Sequence, residues 1–263
     1  MIQPNRWFRA LALFVGYGFL YVPIACLMVF SFNDSSLMTT WSGFSLRWYV
    51  ELFNDKIFLD SIVTMIVLLI PRLFIGVFMP LLFAELIFNT KNKKLQSFYR
   101  VAVLVPMIAP GVVGMLIWQN IFEPSTGLYS QLLEFLDILN PGEVVDFLND
   151  PKWVISTVII LGFPWTNGTS ILIYISGLNA ISEEVVEASK LDKCSTWRRI
   201  RKIDLPLLLG QIRYFFIFGL IGLLQDYGIQ IVLTNGGPGY STYVPGWYMY
   251  RLAFTSGRYG YAS

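Results

Sequence analysis

The chain lacks the side chains on which most hydrolytic and redox chemistry depends. Its 263 residues include no histidine and only two cysteines, Cys26 and Cys194. The absence of histidine excludes histidine-dependent catalysis, haem ligation by histidine and the usual zinc sites, and two cysteines are too few for a disulfide framework. No G-x-x-x-x-G-K-[ST] phosphate loop is present, so any ATP hydrolysis that drives the protein must occur on another chain. We therefore expect no catalytic residue, no cofactor and no metal site on this chain.

Polar side chains within apolar segments are the remaining candidates for chemistry. Arg72 lies well inside an apolar stretch, where an ionised group is costly enough to suggest a function. The alternative explanation for Arg72 is structural: it forms an ion pair with Asp226 or lies on the wall of a water-filled cavity. Aromatic and amide side chains in two later segments could stack on sugar rings and hydrogen-bond hydroxyl groups, or could join helices to one another. The candidate substrate-path residues are Arg72, Trp165, Asn167, Tyr174, Gln225, Asp226 and Tyr227.

The composition is that of a membrane protein. Hydrophobic residues make up 55% of the chain and charged residues 14%, whereas ordinary soluble domains contain about 25% charged residues. A membrane-spanning helix needs about 20 apolar residues. Five segments meet that requirement: 10–30, 61–88, 101–122, 153–178 and 207–233. The first is not interpreted as a cleaved signal peptide, because its apolar run is long and no small-residue cleavage site follows.

The distribution of basic residues predicts the orientation of these spans. Two, four and six Lys or Arg residues occur in segments 1–9, 89–100 and 182–206. Two, one and two occur in the alternate segments 31–60, 123–152 and 234–263. Because short loops rich in Lys and Arg stay in the cytoplasm, we expect the amino terminus and the 182–206 segment to be cytoplasmic.

The segment Ser182–Pro206, called the charged loop below, carries eleven charged residues between two apolar segments. Ser182 is a plausible N-cap, and acidic residues follow it in the first turn, where they favour the positive end of a helix. A second short helix is expected after Ser195, and Pro206 suits the first turn of the next helix. The pattern predicts a helix–turn–helix that cannot cross a membrane and needs a partner surface.

The charged loop also resembles a known motif. Glu187-Ala188-Ser189, Lys193 and Ile203-Asp204-Leu205-Pro206 resemble the E-A-A-x3-G-x9-I-x-L-P loop of ABC-importer permeases. Ser189 replaces the third alanine and Lys193 replaces the glycine, a residue that tolerates a positive-φ turn. The resemblance implies that the loop docks on a cytoplasmic ATPase subunit. The implied coupling residues are Glu187, Ala188, Ser189, Lys193, Ile203, Leu205 and Pro206.

Two branches of that family resemble different parts of the chain. Residues 89–263, including VPMIAPGVVGMLIW and LTNGGPG, are similar to carbohydrate permeases of the maltose, glycerol-3-phosphate and oligosaccharide type. The region from Tyr17 to Asp55 resembles polyamine permeases, and the change falls near residues 55–64. Either a fusion of two sequences or ordinary divergence within the family explains the change from polyamine-like to carbohydrate-like sequence. We therefore divide the chain into residues 1–60, with one membrane helix and an external segment, and residues 61–263, a permease domain that contains the charged loop.

The resemblance implies an all-α membrane protein with the type I ABC importer permease fold. In that family a turn similar to Asn235–Gly239 precedes one more membrane helix, so we expect five spans here and expect the family's closing helix to be missing. The implied function is that of a permease subunit that imports a sugar or oligosaccharide. A polyamine permease is the alternative cargo, and a channel or secondary transporter is the alternative class, although no internal repeat is evident.

The same resemblance implies the partners and the location. A second permease, a cytoplasmic ATPase dimer that binds ATP and Mg²⁺, an external solute-binding protein and the lipid bilayer are expected, and nucleic acid is not. The chain would lie in a bacterial cytoplasmic (inner) membrane, crossing it several times with its amino terminus inside.

Overall fold

A computed structural model describes residues 6–37, 39–140 and 142–263, and this part of the chain is helical, with no strand beyond one isolated bridge between Asn33 and Phe44. The all-α prediction is confirmed. The helices are α1 (Arg6–Phe30), α2 (Arg47–Asn54), α3 (Lys56–Phe88), α4 (Lys93–Ala102), α5 (Gly111–Ile121), α6 (Leu128–Phe135), α7 (Val154–Ile160), α8 (Gly168–Asn179), α9 (Glu183–Leu191), α10 (Thr196–Arg199), α11 (Leu205–Leu207), α12 (Leu209–Gln225), α13 (Pro245–Phe254) and α14 (Tyr259–Ala262). A 3₁₀ turn occupies Val105–Ile108, and π-helical turns occupy Ile200–Asp204 and Gln230–Thr234.

Three helices in the described ranges are long and apolar enough to cross a membrane. They are Arg6–Phe30, Lys56–Phe88 and Leu209–Thr234, and they match the first, second and fifth predicted spans. Their apolar side chains remain largely exposed, as expected for surfaces that face lipid. A fourth span is possible if the helices Lys93–Ile108 and Gly111–Ile121, which are bent by 92°, count as one.

The predicted count of five spans is not confirmed, because the third and fourth segments are broken. Pro106 and Pro110 lie in the third segment, and a proline has no N–H to continue a helical ladder. The fourth segment, 153–178, forms α7 with 7 residues and α8 with 12, separated by residues 161–167. Neither helix alone reaches the length of about 20 residues that a span requires.

The described chain divides into two compact units, and the division differs from the predicted one. The first unit contains the described residues up to Ile62 together with Val244–Ser263, and the second contains Val63–Tyr243. Residues 244–263 therefore group with the described residues up to Ile62 rather than with Val63–Tyr243. Asp55 explains this, because its Oδ2 accepts hydrogen bonds from the hydroxyls of Tyr248 at 2.6 Å and Tyr261 at 2.7 Å.

The main core of the second unit lies where α3, α8 and the start of α12 meet. Its buried members are Leu81, Ala84, Ile87, Ile171, Tyr174, Ile175, Leu178 and Leu208. Gly168 lets the first turn of α8 approach the chain closely, since a Cβ there would lie 2.5 Å from the Val103 carbonyl oxygen. This core holds α8, which directly follows the break at 161–167, against α3 and α12.

The N-G-G-P-G run forms a turn, as predicted. Asn235 and Gly236 have φ values of +49° and +82°, and the Gly237 N–H donates to the Thr234 carbonyl at 2.8 Å. The Thr242 hydroxyl donates to the Gly237 carbonyl at 2.9 Å. The turn is therefore stabilised by its own backbone and by neighbouring threonines.

Candidate functional site: a polar cavity and a charged loop

A cavity of about 240 Å³ lies between α3, the break at 161–167, α8 and α12. It brings together three of the predicted substrate-path residues, Arg72, Trp165 and Asn167. Its walls are formed by Arg72, Leu73, Gly76, Val77, Pro80, Trp165, Asn167, Ser170, Phe215, Gly219 and Leu223. A few polar groups on a mainly apolar wall are typical of a small-molecule site.

The break at 161–167 positions Trp165. Gly162 and Trp165 both have positive φ, +89° and +58°, and the Trp165 N–H donates to the Gly162 carbonyl at 2.6 Å. This tight turn places the indole in the cavity wall, with its ring edge-to-face with Phe163 at 5.1 Å between centroids. The indole Nε1 is buried and has no hydrogen-bond partner among the described residues. A buried donor without an acceptor is costly, so this N–H is a candidate ligand-binding group.

Asn167 is positioned by the start of α8. Its Oδ1 caps the helix by accepting from the Ser170 N–H at 3.0 Å, and it also accepts from the Ser170 hydroxyl at 3.2 Å. A capping oxygen of this kind satisfies one of the free N–H groups at a helix start. The amide nitrogen Nδ2 is the group that remains for a ligand.

Arg72 forms an ion pair with Asp226. The guanidinium Nη2 lies 2.9 Å from Asp226 Oδ2, and the two side chains are 24% and 30% exposed. Asp226 is the C-cap residue that follows α12, and its Oδ1 accepts from the Gly228 N–H at 3.0 Å. Pairing reduces the cost of holding both charges inside an apolar region. The two explanations left open for Arg72 therefore both hold: it is paired, and it lines a cavity.

The other predicted substrate-path residues do not line this cavity. Tyr174 is fully buried in the core, where its hydroxyl donates to the Val77 carbonyl at 3.3 Å and its ring lies 4.9 Å from Phe215. Its place is structural, because a buried phenol needs an acceptor and finds one in the backbone. Gln225 is exposed at the end of α12, and Tyr227 follows Asp226 beyond that end.

The charged loop folds as two helices joined by a tight turn. The first, α9, begins at Glu183 directly after Ser182, and the second, α10, begins after Ser195. Ser195 is the N-cap of α10, since its hydroxyl accepts from the Arg198 N–H at 3.3 Å. Both predicted helix starts are confirmed.

Lys193 occupies the turn between these helices. Its φ is +50°, in the left-handed region that glycine adopts readily and other residues rarely adopt. The Cys194 N–H donates to the Ser189 carbonyl at 2.9 Å, which is the long hydrogen bond of a Schellman helix end, where glycine is the usual residue. Lys193 stands where the motif has glycine, and its backbone adopts the left-handed conformation that glycine favours.

The motif residues of the charged loop divide into exposed and anchored side chains. Glu187 and Ala188 are exposed on α9, while Ser189 is buried and its hydroxyl donates to the Val186 carbonyl at 2.7 Å. Glu187 lines a groove of about 430 Å³ with Phe88, Lys93, Leu178, Asn179, Ile181, Glu183 and Val186. After the turn, Leu205 packs on the main core, Ile203 is half-buried and Pro206 is exposed. The exposed part of α9 is thus available to a partner, and the following segment is held by the core.

A buried polar cluster at the end of α3 was not predicted from the sequence. Glu85 is 5% exposed and Asp204 is 1% exposed, and the cluster also includes Asn89 and Arg199. Glu85 could have been found by the reasoning applied to Arg72, since it is an ionisable residue inside an apolar run. Its partners are far away in sequence and could not have been identified that way.

Comparison with known proteins identifies the family. The model of the family described as "binding-protein-dependent transport system inner membrane component" matches residues 73–259, which include the cavity residues after Arg72 and the whole charged loop. The chain belongs to this family. It is therefore a multi-pass inner membrane protein and a transport subunit, and the predicted resemblance to ABC importer permeases is confirmed. Membership of this family excludes the alternative class, a channel or a secondary transporter.

Several permeases are similar over most of their length. The lactose transport system permease protein LacF of Rhizobium radiobacter is 27% identical, with 95% of this chain and 83% of LacF covered. The multiple sugar-binding transport system permease protein MsmF of Streptococcus mutans is 28% identical, with 94% and 87% covered. The sulfoquinovosyl glycerol transport system permease protein SmoG of Agrobacterium fabrum is 29% identical, with 92% and 77% covered.

Among solved structures, a bacterial ABC transporter involved in the import of the acidic polysaccharide alginate has the same fold. Its matching chain superposes with a TM-score of 0.83 at 24% identity, and 97% of this permease and 86% of that chain are covered. The predicted importer permease fold is therefore confirmed.

Proposed function

We propose that this permease is one membrane subunit of an ATP-driven importer that takes up a sugar or oligosaccharide delivered by an external solute-binding protein. The observation that carries the proposal is the cavity in which the unpaired indole N–H of Trp165 lies on the same wall as Asn167. The names of LacF, MsmF and SmoG support a carbohydrate cargo.

The cavity offers what a polyhydroxylated, uncharged substrate needs. Trp165 supplies a donor for a hydroxyl oxygen, and Asn167 Nδ2 supplies a second donor from a neighbouring position. The aromatic ring of Phe215 adds an apolar face on which a sugar ring can rest. Apolar walls with a small number of placed hydrogen-bonding groups suit a carbohydrate.

The charge of the cavity disfavours a polyamine. Among the residues that line it, Arg72 is the charged one, and its partner Asp226 is already paired at 2.9 Å. A polyamine is a polycation and would require unpaired carboxylates at this place, whereas a guanidinium repels it. None of the relatives named above is named for polyamine transport.

The size of the cavity favours a second permease subunit. Its volume of about 240 Å³ is below the range of about 300–1,000 Å³ that is common for small-molecule sites. A path that is shared between two subunits would place the remaining contacts on the partner. We propose that the partner is a second permease of the same family.

The charged loop is the proposed contact with the cytoplasmic ATPase dimer. This chain has no phosphate loop, so ATP and Mg²⁺ would be bound by that partner. The exposed α9 face with Glu187 and Ala188 would dock there. This arrangement requires the charged loop and the amino terminus to be cytoplasmic, which agrees with the distribution of basic residues.

Uptake of labelled sugars by cells that express the complete importer tests the cargo. We expect uptake to be inhibited by unlabelled sugars and unaffected by putrescine. In Trp165→Phe, which keeps the ring and removes the N–H, KM should rise about threefold to tenfold, the effect of one lost hydrogen bond. Trp153→Phe, outside the cavity wall, is the matched control and should leave KM unchanged. Competition by putrescine with sugars inert would refute the proposal.

A further inference from the structure

The end of α3 and the second half of the charged loop are joined by a buried polar cluster. The Arg199 Nε lies 3.0 Å from Asp204 Oδ2, and the Arg199 Nη2 donates to Asn89 Oδ1 at 2.6 Å. Asn89 in turn donates to Glu85, to its carbonyl oxygen at 2.8 Å and to Oε2 at 3.1 Å. One guanidinium therefore contacts Asp204 of the loop through Nε and, through Nη2, Asn89, the residue that directly follows α3.

The burial of these groups makes the connection specific. The side chains of Arg199 and Asp204 are 16% and 2% exposed, and the guanidinium carbon lies 5.7 Å from the centre of the Phe88 ring. Two carboxylates, Glu85 and Asp204, share this region with a single guanidinium, and Glu85 Oε1 has no partner among the described residues. Loss of the guanidinium would remove the ionic partner of the buried Asp204, which is costly.

The same two helices meet again near the cavity. The charged loop continues through α11 into α12, and Asp226, the residue that caps the end of α12, pairs with Arg72 of α3. Arg72 and Glu85 are 13 positions apart on α3, which corresponds to about 20 Å along a helix. The loop is thus attached to α12 by the chain, and to α3 by Arg199 and by the packing of Leu205 on the main core. Both helices form walls of the cavity.

We propose that Arg199 is a positioning residue that ties the charged loop to α3, so that a displacement of the loop by the ATPase moves both α3 and α12 at the cavity. This inference rests on the proposed function, because it needs an ATPase that moves the loop. Without Arg199, the loop would still dock and still pull α12, but the polar contact with the end of α3 would be lost and α3 would follow less closely, through the packing of Leu205 alone. ATP hydrolysis would then continue with less transport.

The test is the ratio of ATP hydrolysed to sugar transported by the complete importer in proteoliposomes with its binding protein. Arg199→Lys keeps the charge but cannot hold Asp204 and Asn89 together, since an ammonium lacks the planar fork of a guanidinium. We expect uptake to fall about threefold to tenfold while ATPase activity changes little, so that the ratio rises by the same factor. Asn89→Ala keeps the Arg199–Asp204 pair but removes the acceptor of Arg199 at the end of α3, together with the hydrogen bonds from Asn89 to Glu85, and should raise the ratio in the same direction.

Arg198→Lys, on the exposed neighbour in the same helix, is the matched control and should leave the ratio unchanged. An unchanged ratio in both Arg199→Lys and Asn89→Ala would overturn the proposal, as would an equal loss of uptake and ATPase activity in an assembled complex. If Arg199→Lys does not assemble with the ATPase, the ratio measured for Asn89→Ala decides alone. Absence of sugar uptake by the wild-type complex would instead refute the proposed function.

Discussion

The backbone N–H of Cys194 donates to the Ser189 carbonyl at 2.9 Å, which closes the end of α9 around a lysine with φ +50°. Lysine has a Cβ that crowds the backbone in this conformation, and glycine does not. The loop therefore keeps the backbone geometry of its motif. The backbone strain at Lys193 would be removed by the glycine of the motif.

Lys193→Gly should stabilise the charged loop by about 1 kcal/mol, because the strain of a left-handed lysine disappears. Thermal unfolding of the detergent-purified subunit and its co-purification with the ATPase measure this. Asp192→Gly is the control, since Asp192 is not among the residues with positive φ and glycine there should not stabilise the helix end. A lower stability of Lys193→Gly would show that the lysine side chain contributes more than the strain costs.

Glu187→Lys should impair both sugar uptake and transport-linked ATPase activity while membrane insertion stays normal. Glu187 is exposed on α9 and lines the groove beside Lys93, so reversal of its charge alters the docking surface and places two cations on the same groove. Uptake, ATPase activity and the amount of permease in the membrane are measured together. Glu184→Lys makes the same charge change outside the groove lining and should have the smaller effect. Normal coupled uptake in Glu187→Lys would exclude this docking role.

Arg72→Ala should lower the stability of the subunit by about 1–2 kcal/mol, because Asp226 is left unpaired in a half-buried position. Uptake should fall as well, since Arg72 also lines the cavity. Thermal unfolding and uptake are the two measurements. The exchange Arg72→Asp with Asp226→Arg should recover most of the stability but not the uptake. Recovery of both stability and uptake would mean that only the ion pair matters. Transport would then not depend on a guanidinium at position 72 of the cavity wall.

The pH dependence of the first unit should reflect Asp55. Desolvation by burial raises the pKa of this carboxyl, but hydrogen bonds from Tyr248, Tyr261 and the N–H groups of Phe58 and Ile57 together outweigh it, so its pKa lies below the usual value. Burial and the neighbouring carboxylate raise the pKa of both tyrosines. A carboxyl with a lowered folded pKa stabilises the fold above its unfolded pKa of about 4, and this contribution is lost as the pH falls through the folded pKa.

Tyr248→Phe should therefore lower the melting temperature at neutral pH, and the difference from wild type should narrow below about pH 4. Thermal unfolding in detergent over a pH series measures this. Tyr259→Phe, a tyrosine in the same unit that does not contact Asp55, is the control and should show no pH-dependent difference. A difference for Tyr248→Phe that does not change with pH would mean that packing, rather than the hydrogen bond to the carboxylate, is lost.

The charged loop was the most predictable part of the site. The starts of α9 and α10 follow from residues that are adjacent in the chain, such as Ser195 as a helix cap, and such local preferences need no tertiary contact. Trp165 and Asn167 were predicted from their chemistry and do meet Arg72 at the cavity. Tyr174 has the same chemistry, yet it faces the core, because the side of α8 on which a residue lies depends on what the helix packs against.

The sequence by itself determined the class of protein, the motif of the charged loop and the absence of a phosphate-loop motif, because hydropathy, spacing and residue type are properties of contiguous residues. Only the tertiary structure decided that Arg72 pairs with Asp226, 154 positions away, and that Arg199 joins Asp204 to Asn89 across 110 positions. It also decided that the third predicted span bends by 92° and that the fourth is two helices. These features depend on which helix faces meet and which buried polar groups find partners, and packing settles that only when the whole chain is folded.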